Sequence, residues 1–205
     1  MIAIIDYGMG NLGSIANMLK KIGAKAVITS DAAIIESADK LILPGVGAFD
    51  NGMKNLNELG LIPLLNVKAL EQKVPILGVC LGMQLISNAS QEGTLPGLSW
   101  IEAETVKFEF NGNPQHLKIP HMGWNFLNIK QNHPVLGDMY ETPRFYFVHS
   151  YHLVCHREES VLATTEYGYE FASAVAQENI IGMQFHPEKS HKFGMKLLKN
   201  FVEHF

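Results

Sequence analysis

Cys80 stands in the run Gly78-Val79-Cys80-Leu81-Gly82. The apolar stretch Pro75–Val79 reads as a buried strand, and Leu81–Ser87 reads as a helix that starts at once. A nucleophile between two glycines at a strand-to-helix turn has the form of the G-x-S-x-G elbow, with cysteine in the serine position. The glycines allow the sharp turn and close packing of strand on helix. The thiol then faces a helix N-terminus, which favours thiolate. The next N–H, that of Leu81, points to where an oxyanion forms. A free cysteine is more often an inert core residue, but the double glycine flank favours catalysis.

A thiol nucleophile needs a base, and the base needs a group to orient it. His186, in Phe185-His186-Pro187-Glu188, stands at the end of the predicted strand Ile180–Phe185. Strand ends are where sites gather in α/β sheets. Pro187 holds His186 extended, and Glu188, two residues on, falls on the same side. Alone, the motif reads as a solvated turn. Beside the cysteine elbow it predicts a Cys80-His186-Glu188 triad. All nine histidines lie at or after His116, so nucleophile and base come from opposite halves of the chain.

Two other patterns suggest different chemistry. Gly8-Met9-Gly10-Asn11-Leu12-Gly13 matches G-x-G-x-x-G between a strand and a helix, and Asp31 lies 18 residues after Gly13. That is the setting of a dinucleotide fingerprint; a plain tight turn needs the same glycines. His149-Ser150-Tyr151-His152-Leu153-Val154-Cys155-His156 resembles a metal-ligand cluster. At strand period two, His149 and Cys155 share one face while His152 and His156 share the other. Three ligands do not converge, and no metal site is predicted. Phe108, Phe110, Phe145 and Phe147 read as core or sheet-face aromatics. His116, His133, His191 and His204 read as surface.

The elements that must position these groups alternate in the first half. Strands are predicted at Ile2–Ile5, Ala26–Thr29, Leu41–Leu43 and Pro75–Val79, with helices between them. Asn11 is a candidate N-cap for the first helix, which Gly23 ends. Helical stretches follow around Phe49–Leu59 and Pro63–Gln72. The second half carries predicted strands at Trp100–Phe110, Phe145–Cys155, Val161–Thr165 and Ser173–Ala176. The turns Asn111-Gly112-Asn113-Pro114, His133-Pro134 and Thr142-Pro143 separate them. Lys192–Phe205 is a closing helix. The expected fold class is α/β: a mostly parallel sheet flanked by helices, with an added antiparallel portion. With no internal repeat and no low-complexity linker, residues 1–205 are expected to form one domain.

Composition excludes several function classes. The chain has 205 residues, 47% apolar, which is enough for a sizeable core. Only 18% are charged, against roughly 25% in ordinary soluble proteins. So low a charge implies either deep burial or a surface that a partner covers. A net charge of −4 without a basic run removes the footprint of a nucleic-acid binder. The longest nearly apolar stretch, Val74–Ile86, is shorter than the ~20 residues a membrane-spanning helix needs. No basic segment precedes the first apolar run, as a signal peptide requires, and two cysteines make no disulfide framework. A cytoplasmic chain is expected.

Three segments in order, Pro44-Gly45-Val46-Gly47, Gly78 to Gln84 and Gly182-Met183-Gln184-Phe185-His186-Pro187-Glu188, resemble the class I (triad) glutamine amidotransferases, whose fold is flavodoxin-like. Within that family the likeness is finest to the glutaminase subunits of imidazole glycerol phosphate synthases. Asp6-Tyr7-Gly8-Met9-Gly10-Asn11, Pro120-His121-Met122-Gly123-Trp124-Asn125, Tyr146-Phe147-Val148-His149-Ser150-Tyr151 and Leu197-Leu198-Lys199-Asn200-Phe201 carry it, over the whole length.

The resemblance implies a glutaminase. Cys80 attacks the side-chain amide of glutamine, His186 moves the proton, and Glu188 orients His186. Leu81 and the Val46–Gly47 loop hold the oxyanion. Gln84 and His149-Ser150-Tyr151 bind the charged backbone of glutamine. No metal or organic cofactor is implied. The ammonia is implied to pass through a channel into a (β/α)8-barrel synthase, the partner in a heterodimer, which uses it in histidine biosynthesis by lyase chemistry. Gly10, Asn11, Met122 and Trp124 would lie near that interface, so the glycine loop faces a protein and not a dinucleotide. The glutaminase is expected to be weak without its partner. The continuation Lys189-Ser190-His191-Lys192 departs from the pattern of the histidine pathway. With Tyr151-His152 it resembles paralogues that supply ammonia for surface-polysaccharide sugars, which leaves the acceptor open. An intact triad argues against a non-catalytic assembly partner.

Overall fold

A computed structural model describes residues 1–110 and 117–205. The expected turn Asn111-Gly112-Asn113-Pro114, and His116, lie outside the described residues. The first half runs β1 (Ile2–Ile5), α1 (Leu12–Ile22), β2 (Ala26–Thr29), α2 (Ala32–Glu36), β3 (Lys40–Gly45), α3 (Phe49–Glu58) and α4 (Leu61–Asn66). It continues through β4 (Ile76–Cys80) and α5 (Leu81–Leu85) to β5 (Ala89–Ser90) and β6 (Ala103–Lys107). The second half adds β7 (His121–Phe126), β8 (Asn128–Ile129), β9 (Arg144–His149), β10 (Tyr151–Cys155), β11 (Val161–Glu166), β12 (Glu170–Gln177), β13 (Ile180–Met183) and α6 (His191–His204).

Five strands pair in parallel in the order β2-β1-β3-β4-β13. β1 and β4 are buried at every residue, as strands covered by helices on both faces must be. Beyond β13 the sheet turns antiparallel through β12, which pairs with β11 and β10; β10 leads on to β6. β7 and β9 form a separate two-stranded ribbon.

Two cores flank the sheet. One joins the inner faces of α1 and α6 to Phe145, Phe147, Phe171 and Phe185. The other lies beneath α2–α5 and includes Tyr7, Phe49 and Trp100. The accessible surface is 9339 Å², close to the roughly 9,500 Å² expected for a monomer of this mass. The charge deficit therefore does not come from unusually deep burial.

Several expected elements shift. Phe145–Cys155 is two strands broken at Ser150, because β9 belongs to the ribbon and β10 to the main sheet. Trp100–Phe110 shortens to β6, since Trp100 turns aside to donate to Asn66 Oδ1 at 2.8 Å. The stretch Pro63–Gln72 divides into α4 and a π-type turn over Val67–Glu71. Asn11 makes no side-chain cap on α1. β7 has no counterpart among the expected strands. β7 hides because its apolar residues face outward: His121 is buried and Asn125 half-buried, while Met122, Trp124 and Phe126 are exposed.

The elbow rests on glycine. A Cβ on Gly82 would strike the Leu43 carbonyl, and one on Gly78 would come within 2.8 Å of the Gly82 carbonyl oxygen. Gly13, by contrast, has nothing within 4 Å of its would-be Cβ. Gly82→Ala should therefore cost at least about 1–3 kcal/mol by overpacking against rigid backbone. Gly13→Ala, inside α1, should stabilise by about 0.5–1 kcal/mol. Thermal melts of the two variants check this: a drop for the first, at about 2–4 °C per kcal/mol, and a small rise for the second.

Candidate active site

Cys80 closes β4 and precedes α5 with φ 54 and ψ −108, a backbone conformation that non-glycine residues rarely adopt. This aims its side chain off the strand end. The first N–H groups of α5, beginning with Leu81, have no acceptor within the helix. The pairing of β4 with β13 sets Met183 beside Val79. The chain then leaves the sheet: Gln184 N–H donates to Ser173 O, and His186 N–H to Tyr146 O at 2.9 Å. His186 is thereby fixed beside Cys80.

Glu188 reaches His186 by a tighter route than strand alternation. Pro187–Lys189 form one 3-10 turn, which folds the carboxylate back so that His186 Nδ1 donates to Glu188 Oε1 at 2.8 Å. Both side chains are almost wholly buried. Burial alone would lower the His186 pKa, but Cys80 and Glu188 outweigh it and raise it to about 9. His186 Nε2 has no well-aligned hydrogen-bond partner, so it is open toward the thiol and whatever leaves from it. Cys80 Sγ lies 4.0 Å from Val148 O and 3.8 Å from Gln184 Nε2.

A cavity of about 300 Å³ opens in front of the thiol. Val46, Gly47, Cys80, Leu81, Gln84, His149, Ser150 and Tyr151 all line it, together with Glu92, Pro120 and Val148. Gln84 Nε2 donates to Tyr151 O at 3.1 Å and to Gln184 Oε1 at 3.2 Å. Gly47 sits at φ +120, and a Cβ there would come within 2.6 Å of Met9 Cε. The Gly8–Gly13 loop thus abuts the Val46–Gly47 loop. Tyr7, just before that loop, donates to Pro44 O at 2.6 Å, which pins the strand end before Val46. Burial, then the nearby Cys80 charge, keep this phenol protonated.

Glu92, Gln184, Tyr7 and His121 went unassigned from sequence. Gln184 carried a signal, since it lies in the segment that ends on His186; Glu92, on a turn after β5, carried none. The outer residues separate from this pocket. Met122 and Trp124 are exposed on β7, Asn11 is exposed and Gly10 half-buried. His191 is not a solitary surface residue: its ring stacks on Trp124 at 5.5 Å with a 1° interplanar angle. His133 stacks on Phe205.

The two competing patterns take on structural roles. Asp31 caps α2, accepting from Ala33 N–H and Ile34 N–H, and Gly13 makes no close helix contact. A dinucleotide fingerprint needs its acid for the ribose and its third glycine for packing, so that reading is set aside. The face assignment for His149 to His156 fails because the break at Ser150 resets the alternation; His149 and His152 both pack on Phe108. Among the described residues no group of three or more His, Cys, Asp or Glu could hold a metal ion.

The sequence profile of the glutamine amidotransferase class-I family matches residues 3–205. The imidazole glycerol phosphate synthase subunit HisH 2 of Methanococcus maripaludis is 57% identical over 99% of both chains. The protein of the same name from Pseudomonas aeruginosa is 50% identical over 99% of both. Subunit HisH of Sulfurimonas denitrificans is 49% identical, over all of this chain and 98% of its own. Among solved structures, a glutamine amidotransferase superposes with a TM-score of 0.72 at 21% identity, covering 99% of this chain and 98% of its own. Another glutamine amidotransferase, from Thermotoga maritima, gives 0.70 at 16%, covering 99% and 96%; these two likenesses concern the fold. Matched along nearly its whole length, the chain belongs to the class I glutamine amidotransferases.

Proposed function

We propose that the protein is the glutaminase subunit of an imidazole glycerol phosphate synthase. The observation that carries this reading is Cys80 lining the cavity, with the buried, hydrogen-bonded His186–Glu188 pair behind the thiol. Full-length identity of 43–57% to curated subunits of that name supports it. We further infer one domain spanning residues 1–205, since α6 packs back on α1 and the family profile runs to residue 205.

The chemistry follows from the geometry. With the proton already on His186, the Cys80 sulfur attacks the side-chain carbonyl carbon of glutamine. The tetrahedral oxyanion accepts from the Leu81 N–H and from the Val46–Gly47 loop. His186 returns the proton to the leaving nitrogen, ammonia departs, and a glutamyl thioester remains on Cys80. Water, deprotonated by His186, cleaves the thioester to glutamate. Glu188 holds the imidazole in place and stabilises its charged form. Glu92, the one carboxylate among the described lining residues, pairs with the α-ammonium of glutamine. Gln84 and His149-Ser150-Tyr151 bind the rest of the amino-acid end. No step calls on a metal or organic cofactor.

The ammonia goes to a (β/α)8-barrel partner in a heterodimer, in the cytoplasm. No helix among the described residues is long and apolar enough to cross a membrane. The exposed row Met122, Trp124 and Phe126 is an apolar surface of the kind a partner covers. Gly10 and Asn11 sit on the loop that abuts Val46–Gly47, so docking there can set the oxyanion loop.

Three outcomes test this reading. In the partner complex, Cys80→Ala should lower glutamine-dependent synthesis by about 10³-fold or more while ammonia-dependent synthesis persists. Loss of both, or of neither, sinks it. The isolated chain should hydrolyse glutamine more slowly than the complex; equal rates exclude gating through Val46–Gly47. The third outcome concerns pH. His186 is raised from 6.5 to about 9, so the folded chain holds a proton there that the unfolded chain releases. That stabilisation is full below pH ~6.5 and is lost as pH rises through about 9. Thermal melts from pH 6.5 to 9.5 should fall more steeply for the wild type than for Cys80→Ala, which lacks the charge that raises His186.

A further inference from the structure

The pocket wall at Val148–Tyr151 is a weak point by construction. β9 ends at His149 in the ribbon, and β10 begins at Tyr151 in the main sheet. No continuous ladder crosses Ser150. Yet this wall presents Val148 O to the thiol and Tyr151 O to Gln84. One backbone bond, from Phe108 N–H to Ser150 O at 3.1 Å, ties Ser150 to the main sheet; side chains must fix the rest of its shape.

A directed chain of hydrogen bonds supplies it. His149 Nδ1 lies 2.7 Å from Tyr151 O. A carbonyl only accepts, so Nδ1 carries the proton. The neutral ring then has a lone pair on Nε2, which is 3.0 Å from His121 Nδ1. His121 must therefore donate from Nδ1 and accept at Nε2, where Asn125 Nδ2 approaches to 3.2 Å. The Asn125 amide is oriented independently: Nδ2 also donates to Glu166 O, and Oδ1 accepts from Phe126 N–H. Both ends of the chain thus demand the same tautomer of both histidines. Burial lowers the pKa of His121 to about 4 and that of His149 well below its ordinary value, so both rings are neutral near pH 7, as the chain requires.

Register and packing make the link rigid. His121 and His149 are direct cross-strand partners. The His121 ring is sandwiched between Phe147 at 4.8 Å and Tyr167 at 4.1 Å, stacked on each. His121 does not line the cavity.

We propose that His121 is a positioning residue for the glutamine pocket: through His149 it fixes the Tyr151 carbonyl and, with it, the Gln84 carboxamide. The inference rests on the glutaminase reading and deepens it. The same contact joins the pocket to β7, the strand whose other face carries Met122, Trp124 and Phe126.

The test uses the full chain and a γ-diazoketone analogue of glutamine that alkylates Cys80, followed by intact mass. Its half-saturating concentration reports the pocket, and its limiting rate reports the thiol. Iodoacetamide, which needs no pocket, is the control. His121→Phe keeps the stacking and removes the donor. It should raise half-saturation roughly tenfold or more, the effect of leaving a buried acceptor unpaired. The limiting rate and the iodoacetamide rate should stay within about twofold, since neither depends on that hydrogen bond. His121→Asn sets an N–H near the place of Nδ1 and should restore binding, whereas His121→Gln sets it near Nε2 and should not. The Asn and Gln pair carries the test if the Phe variant does not fold. Unchanged half-saturation in His121→Phe, equal impairment of the Asn and Gln variants, or a parallel loss of iodoacetamide reactivity overturns the proposal. A wild-type Cys80 that reacts with iodoacetamide but never with the analogue overturns the glutaminase reading itself.

Discussion

Cys80 holds φ 54 because Gly78 and Gly82 let β4 and α5 approach with no Cβ between them. The strain of such a backbone, of order 1–3 kcal/mol, persists only where surrounding structure over-determines it. Here it is held from both sides. The Leu43 carbonyl lies against Gly82, and Met83 and Val175 crowd Gly182 on the neighbouring strand β13. The elbow cannot relax without parting three central strands. Everything else in the site is located relative to it: Val46 and Gly47 follow the adjacent strand β3, and His186 follows β13 on the other side.

The parallel half supplies the Cys80 thiol and the loop beside it, but not the facing wall of the cavity. The antiparallel half supplies the wall. Its strands leave the plane of the sheet at Ser150, and this break lets one segment face the thiol while its flanks belong to different sheets. Backbone pairing reaches this junction only through Phe108 N–H, which donates to Ser150 O, so polar side chains complete its support. Gln84, Gln184, His149, His121 and Asn125 form a connected network running from Sγ to an outer strand. Their burial keeps both histidines neutral, and neutrality keeps each hydrogen bond pointing one way. His186 behaves in the opposite sense because Cys80 and the Glu188 carboxylate both favour its charged form, and it holds its proton.

The low charge of the chain acquires a location in this arrangement. The accessible surface is ordinary in extent, but β7 is inverted, with polar residues inward and Met122, Trp124 and Phe126 outward. In the proposed assembly this exposed apolar row, on the strand paired with β9, is the docking face, one strand away from the pocket wall.

Much of this was legible in the sequence, because the informative signals are local. Glycines at both sides of a cysteine report a tight turn wherever they occur, and unbroken apolar runs report strands covered on both faces. His186-Pro187-Glu188 reports a base and its orienting acid, although the contact is made by a 3-10 turn and not by strand alternation. What failed was whatever depended on a partner distant in the chain. The break at Ser150, the inverted pattern of β7, the place of Glu92 in the pocket and the pairing of His121 with His149 leave no periodic trace. Each is settled by which strand lies beside which. Residue types and their local order were enough to propose the chemistry: a thiol, a base, an acid and the glycines that bend the chain around them. Which histidine is charged and which are neutral depends on the folded surroundings, because desolvation and hydrogen-bond direction belong to the environment and not to the residue type.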